Sequence, residues 1–198
     1  MFLDRHQQNY NFKKIAEFIS QDISLSYKLP KYVNSAAMRR SMVVKSMQGA
    51  IALIGERTLR KWLSLMMLSY IADDKPQELL RLALLRARFC EQVGDKLGKG
   101  RDFSLACYTL GMFSLLDVML DQPMEKILKE LNLAPEIVDT LTAGKKTRYS
   151  VILSLAKAYE RGDWLEVARL AGSVKEVFED LPLVYAAALD DVRGFYAV

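Results

Sequence analysis

The chain has 198 residues, 51% of them hydrophobic and 26% charged, with only 5 Pro and 10 Gly, a composition that excludes a disordered or fibrous polypeptide. Its net charge of +4 is unevenly divided: residues 1–100 carry 17 Lys and Arg against 9 Asp and Glu, net +8, while residues 101–198 carry 11 against 15, net −4. Two cysteines and one histidine exclude a disulfide scaffold and a metal framework built on thiolates or imidazoles.

Cys90 and Cys107 fall in apolar helical patterns and are expected as buried free thiols, which suits a reducing cytoplasm. The opening MFLDRHQQNYNFKKIAEF has acidic and polar residues where an export signal needs an unbroken apolar stretch. No later segment has 18 successive apolar residues, so membrane insertion is not expected. The opposite charge of the two halves could orient a nucleic acid or protein partner, or could serve solubility and complementarity between the halves.

In chain order, a period of 3.6 recurs throughout and no alternating strand pattern survives, so the fold class is all-α. Phe12, Ile15, Ala16 and Ile19 form a first amphipathic stripe. Asp22 can cap a second helix with Leu25, Leu29 and Val33 inward, bent at Pro30 and ending in a turn at Asn34-Ser35-Ala36. SMQGAIALIGERTLRKWLSLMMLSYI reads as two helices parted near Gly55, with Ala50, Leu53 and Ile54 inward in the first and Leu59, Leu63, Met66 and Met67 in the second.

Asp74 with Gln77 forms a capping pattern for a long helix over about 75–98, with Leu80, Leu84, Ala87 and Cys90 on its apolar side and Arg81, Arg86 and Arg88 on other faces. After Gly98-Lys99-Gly100, DFSLACYTLGMFSLLDVML is expected as one central helix ending before Pro123. Helices near 124–131 and 135–142 follow, the latter with Pro135 in its first turn, and then the loop AGKKTRY. A helix over 148–161 ends at Gly162, Asp163 with Glu166 caps the next, and Ser173 with Glu176 opens a last helix reaching toward Tyr196. A boundary at ADDKP would divide an N-terminal lobe, 1–72, from a helical bundle, 73–198, the two sharing a core.

The chemistry expected of these residues is not catalytic. Metal-dependent phosphohydrolysis draws imidazoles and carboxylates around a cation, and His6 has no second imidazole to join it. Asp117 and Asp121, one turn apart, could in principle hold magnesium but read better as a solvated pair or a helix-end contact. Gly98 and Gly100 follow no strand and match no phosphate loop, and Ser35, Ser64 and Ser114 have no neighbouring base. No catalytic residue, metal or cofactor is expected. Arg57, Arg60 and Lys61, spaced i, i+3 and i+4, form a candidate partner surface, with Arg39, Arg40 and Lys45 beside it. Trp62 and Trp164 are expected as structural anchors.

The stretch ISQDISLSYKLPKYVNSAAMRRSMVVKSMQGAIALIGERTLRKWLSLMML, residues 19–68, with its YVNSA segment, AI-x-LIG element and LR-containing helix, resembles the HDOD family, the bacterial HD-related output domains. The resemblance continues through LLRLALLRARFCEQVGDKL and CYTLGMFSLLDVML, where HD phosphohydrolases carry an adjacent His-Asp metal pair. Ser114 and Leu115 stand at that pair's positions here, and an earlier histidine position falls at Leu82-Ala83, so the resemblance implies a degenerate HD-type bundle without its metal centre. PMEKILKELNLAPEIVDTL and AKAYERGDWLEV are similar to the C-terminal half of proteins that join an EAL cyclic-di-GMP phosphodiesterase-like domain to HDOD. The resemblance implies a non-enzymatic signal-output module binding a protein partner or an adjoining EAL-type domain. A nucleic-acid or nucleotide-binding regulator using the basic first lobe is the alternative.

Overall fold

The computed structural model describes residues 16–17, 19, 21, 23–34, 44, 47–71, 74–131, 133–142 and 146–196. His6, Phe12, Ile15, Asp22, Ser35, Ala36, Arg39, Arg40 and Lys45 lie outside the described residues, and so do the expectations placed on them. The described residues are helical and contain no strand. The helices are α1 (Ile23–Val33), α2 (Met47–Ile71), α3 (Gln77–Lys96), α4 (Arg101–Phe113), α5 (Leu116–Leu120), α6 (Met124–Glu130), α7 (Pro135–Leu141), α8 (Ser150–Glu160), α9 (Trp164–Ala171) and α10 (Leu181–Tyr196), with a 3₁₀ turn at Phe178–Asp180. Among them no helix is long and apolar enough to cross a membrane. The chain divides into two compact units, Met1–Leu63 with Arg193–Val198, and Ser64–Val192.

In the first unit, Ile19, Leu29, Val33, Ala50, Ile54, Leu59 and Trp62 are buried. The Ser26 hydroxyl donates to the Ile19 carbonyl at 3.0 Å. Asn34, just past α1, uses both ends of its side-chain amide: Nδ2 donates to the Val44 carbonyl and Oδ1 accepts from the Val44 amide, each at 2.8 Å. An asparagine at this point of YVNSA thus supplies the hydrogen bonds a strand partner would otherwise make. Gly55 interrupts α2 as expected, with φ 71° and ψ 171°, a conformation that only glycine adopts without strain.

In the second unit, α3 and α4 pack so closely that the backbones touch. A Cβ built on Gly111 would stand 2.5 Å from Ala87 Cα and from the Arg86 carbonyl oxygen, and one on Gly94 would stand 3.0 Å from Cys107 Sγ. Glycines at these two points let the helices approach, and Leu84, Ala87, Cys90, Val93, Phe103, Cys107 and Leu110 are buried around them. α8 joins the same core through Ile152, Leu153, Leu155 and Ala156. Pro135 occupies the first turn of α7 as expected, and the Asp163 carboxylate accepts from the Glu166 amide at 3.1 Å to cap α9.

Several boundaries differ from expectation. The apolar run after Gly100 is not one helix: α4 stops at Phe113, where the Ser114 amide and hydroxyl both turn back to the Gly111 carbonyl, at 3.4 and 2.8 Å, and α5 begins at Leu116. Asp74 does not cap α3, because Pro76 takes the N-cap position without a side-chain bond and Asp74 instead lies 3.8 Å from Lys75. The last helix starts at Leu181 rather than near Ser173, since Val174 and Val177 are drawn into the core through turns. Met67 is 60% exposed, and the inward stripe of this part of α2 runs instead through Leu65 and Leu68. Arg86 does not face solvent: it is 6% exposed.

Candidate functional site

The close approach at Gly111 brings the C-terminal end of α4 against the middle of α3, and α8 lies across both helices. Where they meet is a cleft of about 410 Å³. Its lining comes from α3 (Leu82, Arg86), the turn before α5 (Ser114, Leu115), α5 itself (Asp117, Val118), the end of α8 (Lys157, Glu160) and Arg161 just after it. Of the positions Leu82-Ala83, Ser114 and Leu115, which the resemblance implies for HD metal ligands, Leu82, Ser114 and Leu115 line the cleft, whereas Ala83 is fully buried and does not.

The inner end of the cleft is closed by a buried ion pair. Arg86 Nη2 donates to Glu160 Oε2 at 2.7 Å, and Nε reaches both carboxylate oxygens, at 3.0 and 3.2 Å. Arg86 Nη1 donates to Ser114 Oγ at 2.7 Å, and that hydroxyl in turn donates a hydrogen bond to the Gly111 carbonyl oxygen at 2.8 Å. The side chains of Arg86 and Glu160 are 7% and 10% exposed, so neither charge is compensated by bulk water. The fork of the guanidinium matches the carboxylate edge, a geometry lysine cannot reproduce.

Lys157, in the last turn of α8, is half-buried, and Arg161, the residue that caps this helix, lies 4.0 Å from Asp163. Burial holds the Lys157 pKa below the ordinary lysine value, and the nearby Arg86 charge pushes in the same direction, while Asp117 and Glu160 oppose. No hydrogen bond or ion pair joins the Lys157 ammonium to another described residue. The two thiols are buried and free, as expected. Burial raises Cys107 to about 12 and Cys90 well above the ordinary thiol range, so neither is a ready thiolate nucleophile or metal ligand. Among the described residues no group of three or more His, Cys, Asp or Glu side chains could hold a metal ion.

Of the residues singled out in the sequence, Leu82, Arg86, Ser114, Leu115 and Asp117 reach the cleft. Asp121 does not. It ends α5 in a left-handed conformation with φ 50° and accepts a hydrogen bond from Lys75. Arg57, Arg60 and Lys61 lie together on α2, each half-buried, with a carboxylate already among them because Arg60 is paired with Glu56. Trp62 is 2% exposed and lies 6.5 Å from the Tyr32 ring. Trp164 is not a buried anchor: it is 61% exposed and meets Tyr159 edge-on at 5.2 Å.

Sequence reasoning missed Arg86, Glu160, Lys157 and Arg161. Arg86 had a legible mark, since it follows Ala83 by three residues and precedes Cys90 by four, both fully buried. A charge inside an apolar stripe needs a partner. Which partner, 74 residues away, is a property of the fold. Glu160 and Arg161 sit in the YERGDW stretch already singled out, which therefore contributes to the cleft as well as to a helix boundary.

The HDOD domain model matches residues 3–139. The protein YuxH of Bacillus subtilis, named as uncharacterized, is 33% identical over 174 residues, which cover 85% of this chain and 42% of that protein. The cyclic di-GMP phosphodiesterase CdgJ of Vibrio cholerae is 32% identical over 164 residues, covering 83% of this chain and 38% of its own length. The chain thus spans about two fifths of the curated relatives it matches. No solved structure matches it. With the family model matching well over half of its residues, the chain belongs to the HDOD domain family.

Proposed function

We propose that this chain is a non-enzymatic output module of cyclic-di-GMP signalling that acts in the cytoplasm by binding a protein partner, an adjoining EAL-type domain being the first candidate. The observation that supports this best is the buried Arg86–Glu160 pair with its bond to Ser114. In this pair a guanidinium, bonded to the Ser114 hydroxyl, already occupies the Glu160 carboxylate. A side-chain cation can neutralise charge but cannot activate water as a metal does. Leu115 offers no coordinating atom, and the half-buried Arg57, Arg60 and Lys61 cluster supplies a charged rim for a protein contact.

The test pairs an activity assay with a binding assay. The purified chain, given magnesium or manganese, should not hydrolyse cyclic di-GMP. Titrated into an EAL-type phosphodiesterase domain, it should bind. Reversal of Arg57, Arg60 and Lys61 to Glu, with helicity checked by circular dichroism, should weaken that binding about tenfold or more. Metal-dependent turnover lost in Asp117→Ala would overturn the non-enzymatic reading. Tight, sequence-selective nucleic-acid binding lost in the triple reversal would overturn the protein-partner reading.

A further inference from the structure

Lys157 is the cleft residue whose charge the fold supports least. Glu160 is bonded to Arg86, and Arg161 is paired with Asp163 at 4.0 Å. Asp117 lines the same space and favours the ammonium, as does Glu160, yet burial and the Arg86 charge outweigh both, so the Lys157 pKa lies below the ordinary lysine value of 10.5. Lys75 and Lys96, by contrast, are bonded to Asp121 and Asp180. A desolvated lysine beside another cation holds more of its amine in the neutral form, and that form attacks a carbonyl carbon. Lys157 is half-buried rather than enclosed, and it lines a space of about 410 Å³. Leu82, Leu115 and Val118 line the same space and give it an apolar wall. Apolar side chains with a few polar groups around a cleft of this size suit a small organic molecule.

We propose that Lys157 is a modification site whose nitrogen takes an acyl group from a short-chain acyl thioester, the chain lying against Leu82, Leu115 and Val118. The neutral amine attacks the thioester carbonyl carbon, a C–N bond forms and the C–S bond breaks. The proton shed by the nitrogen leaves with the departing thiolate, as a thiol, and nothing is oxidised or reduced. The amide product is neutral, so acylation removes a charge that burial and Arg86 both disfavour. An electrophile without a carbon chain would leave the apolar wall uncovered. The proposal goes beyond the partner-binding reading and stands or falls separately from it.

The experiment incubates the purified full chain, at about pH 8, below the ordinary lysine value, with the butyryl thioester of N-acetylcysteamine, which carries no charge and no phosphate. Acylation at each lysine is followed in time by mass spectrometry of peptides. Lys157 should react at least about tenfold faster than the median lysine of the same molecule. Its rate should rise with pH and level off below 10.5, at its own lowered pKa. In denaturing urea, where every lysine is solvated, the advantage should vanish. Leu115→Ala should slow butyryl transfer to Lys157 at least about fourfold, the worth of one buried methylene, and should slow transfer from the acetyl thioester less. Lys157→Arg keeps the charge without the amine and should abolish the fast phase of butyrylation in the intact mass. Acylation of Lys157 no faster than the median lysine would overturn the proposal, and so would an advantage that survives urea. Butyryl transfer undiminished in Leu115→Ala would overturn the place given to the acyl chain.

Discussion

Arg86 and Glu160, 74 residues apart, meet through a forked contact in which the guanidinium reaches both carboxylate oxygens. The pair ties α3 to α8 at the point where α4 ends, and the Ser114 bond to Nη1 draws the α4–α5 turn into the same knot. Fold and candidate site are therefore joined through the same atoms.

Removing one member of this pair should be far worse than removing both. Arg86→Met leaves Glu160 buried without its cation and should cost about 3–5 kcal/mol in denaturant unfolding, as should Glu160→Gln to a similar degree. Arg86→Met combined with Glu160→Leu should recover much of that loss, because no uncompensated charge remains. Additive single effects in the double-mutant cycle would mean that the two side chains are not coupled.

Gly111→Ala tests the backbone contact between α3 and α4. On helix propensity alone alanine gains about 1 kcal/mol over glycine. Here its methyl group would meet Ala87 and the Arg86 carbonyl at 2.5 Å, and these backbone atoms cannot step aside. The substitution should destabilise by about 1–3 kcal/mol or more. Gly94→Ala, which meets the Cys107 sulfur at 3.0 Å, should cost less.

Stability should depend on pH through Lys157. Its folded pKa lies below the ordinary lysine value of 10.5, first through burial and then through Arg86. Between the folded value and 10.5 the unfolded chain therefore binds more protons, and this group's contribution to stability rises with pH across that interval. Below it, the charged form carries a constant penalty. Lys157→Met should stabilise the protein at pH 7, measured by thermal unfolding, and the advantage should shrink as the pH approaches 10.5. An advantage independent of pH would show that packing alone was responsible.

Both thiols should resist modification in the native protein. Cys107 is raised to about 12 and Cys90 also upward, each chiefly by burial, so at pH 8 almost no thiolate is present at either. Labelling by an aromatic disulfide reagent should follow the rate of opening of the fold rather than reagent concentration. Immediate reaction of one equivalent in the folded state would contradict this.

The Asp163 cap has an independent measure. Asp163→Ala removes the acceptor of the Glu166 amide and should cost about 0.5–2 kcal/mol. Asp163→Asn should retain most of the stability. Asp74→Ala should not show a cap loss, since Pro76 stands at the N-cap of α3.

That contrast shows what was legible in the sequence. The same spacing of an acidic or hydroxyl residue before Glu or Gln recurs at Asp74, Asp163 and Ser173, and only Asp163 has the backbone free to close the bond. The periodic stripes located most helices because burial of one face is a local consequence of 3.6-residue spacing. Gly55 and Pro135 were legible because their backbone limits act on the spot. Arg86 was misplaced on an outward face because its carboxylate comes from α8, and no periodicity records a partner so distant. The cleft itself was not legible, because Leu82, Ser114 and Lys157 are brought together only by the packing of three helices.

The two tryptophans, one in each compact unit, give the protein a built-in optical contrast. Trp62 belongs to Met1–Leu63 and is 2% exposed, whereas Trp164 belongs to Ser64–Val192 and is 61% exposed. Emission from the first should lie to the blue and resist aqueous quenchers, and emission from the second should lie to the red and yield to them. Single replacement by phenylalanine then leaves one fluorophore per molecule, each reporting a different unit. Trp164 also touches Tyr159, the neighbour in sequence of Glu160, so its signal is tied to the end of the helix that closes the cleft. Melting of the two units, in concert or in turn, can thus be followed by colour without any added label.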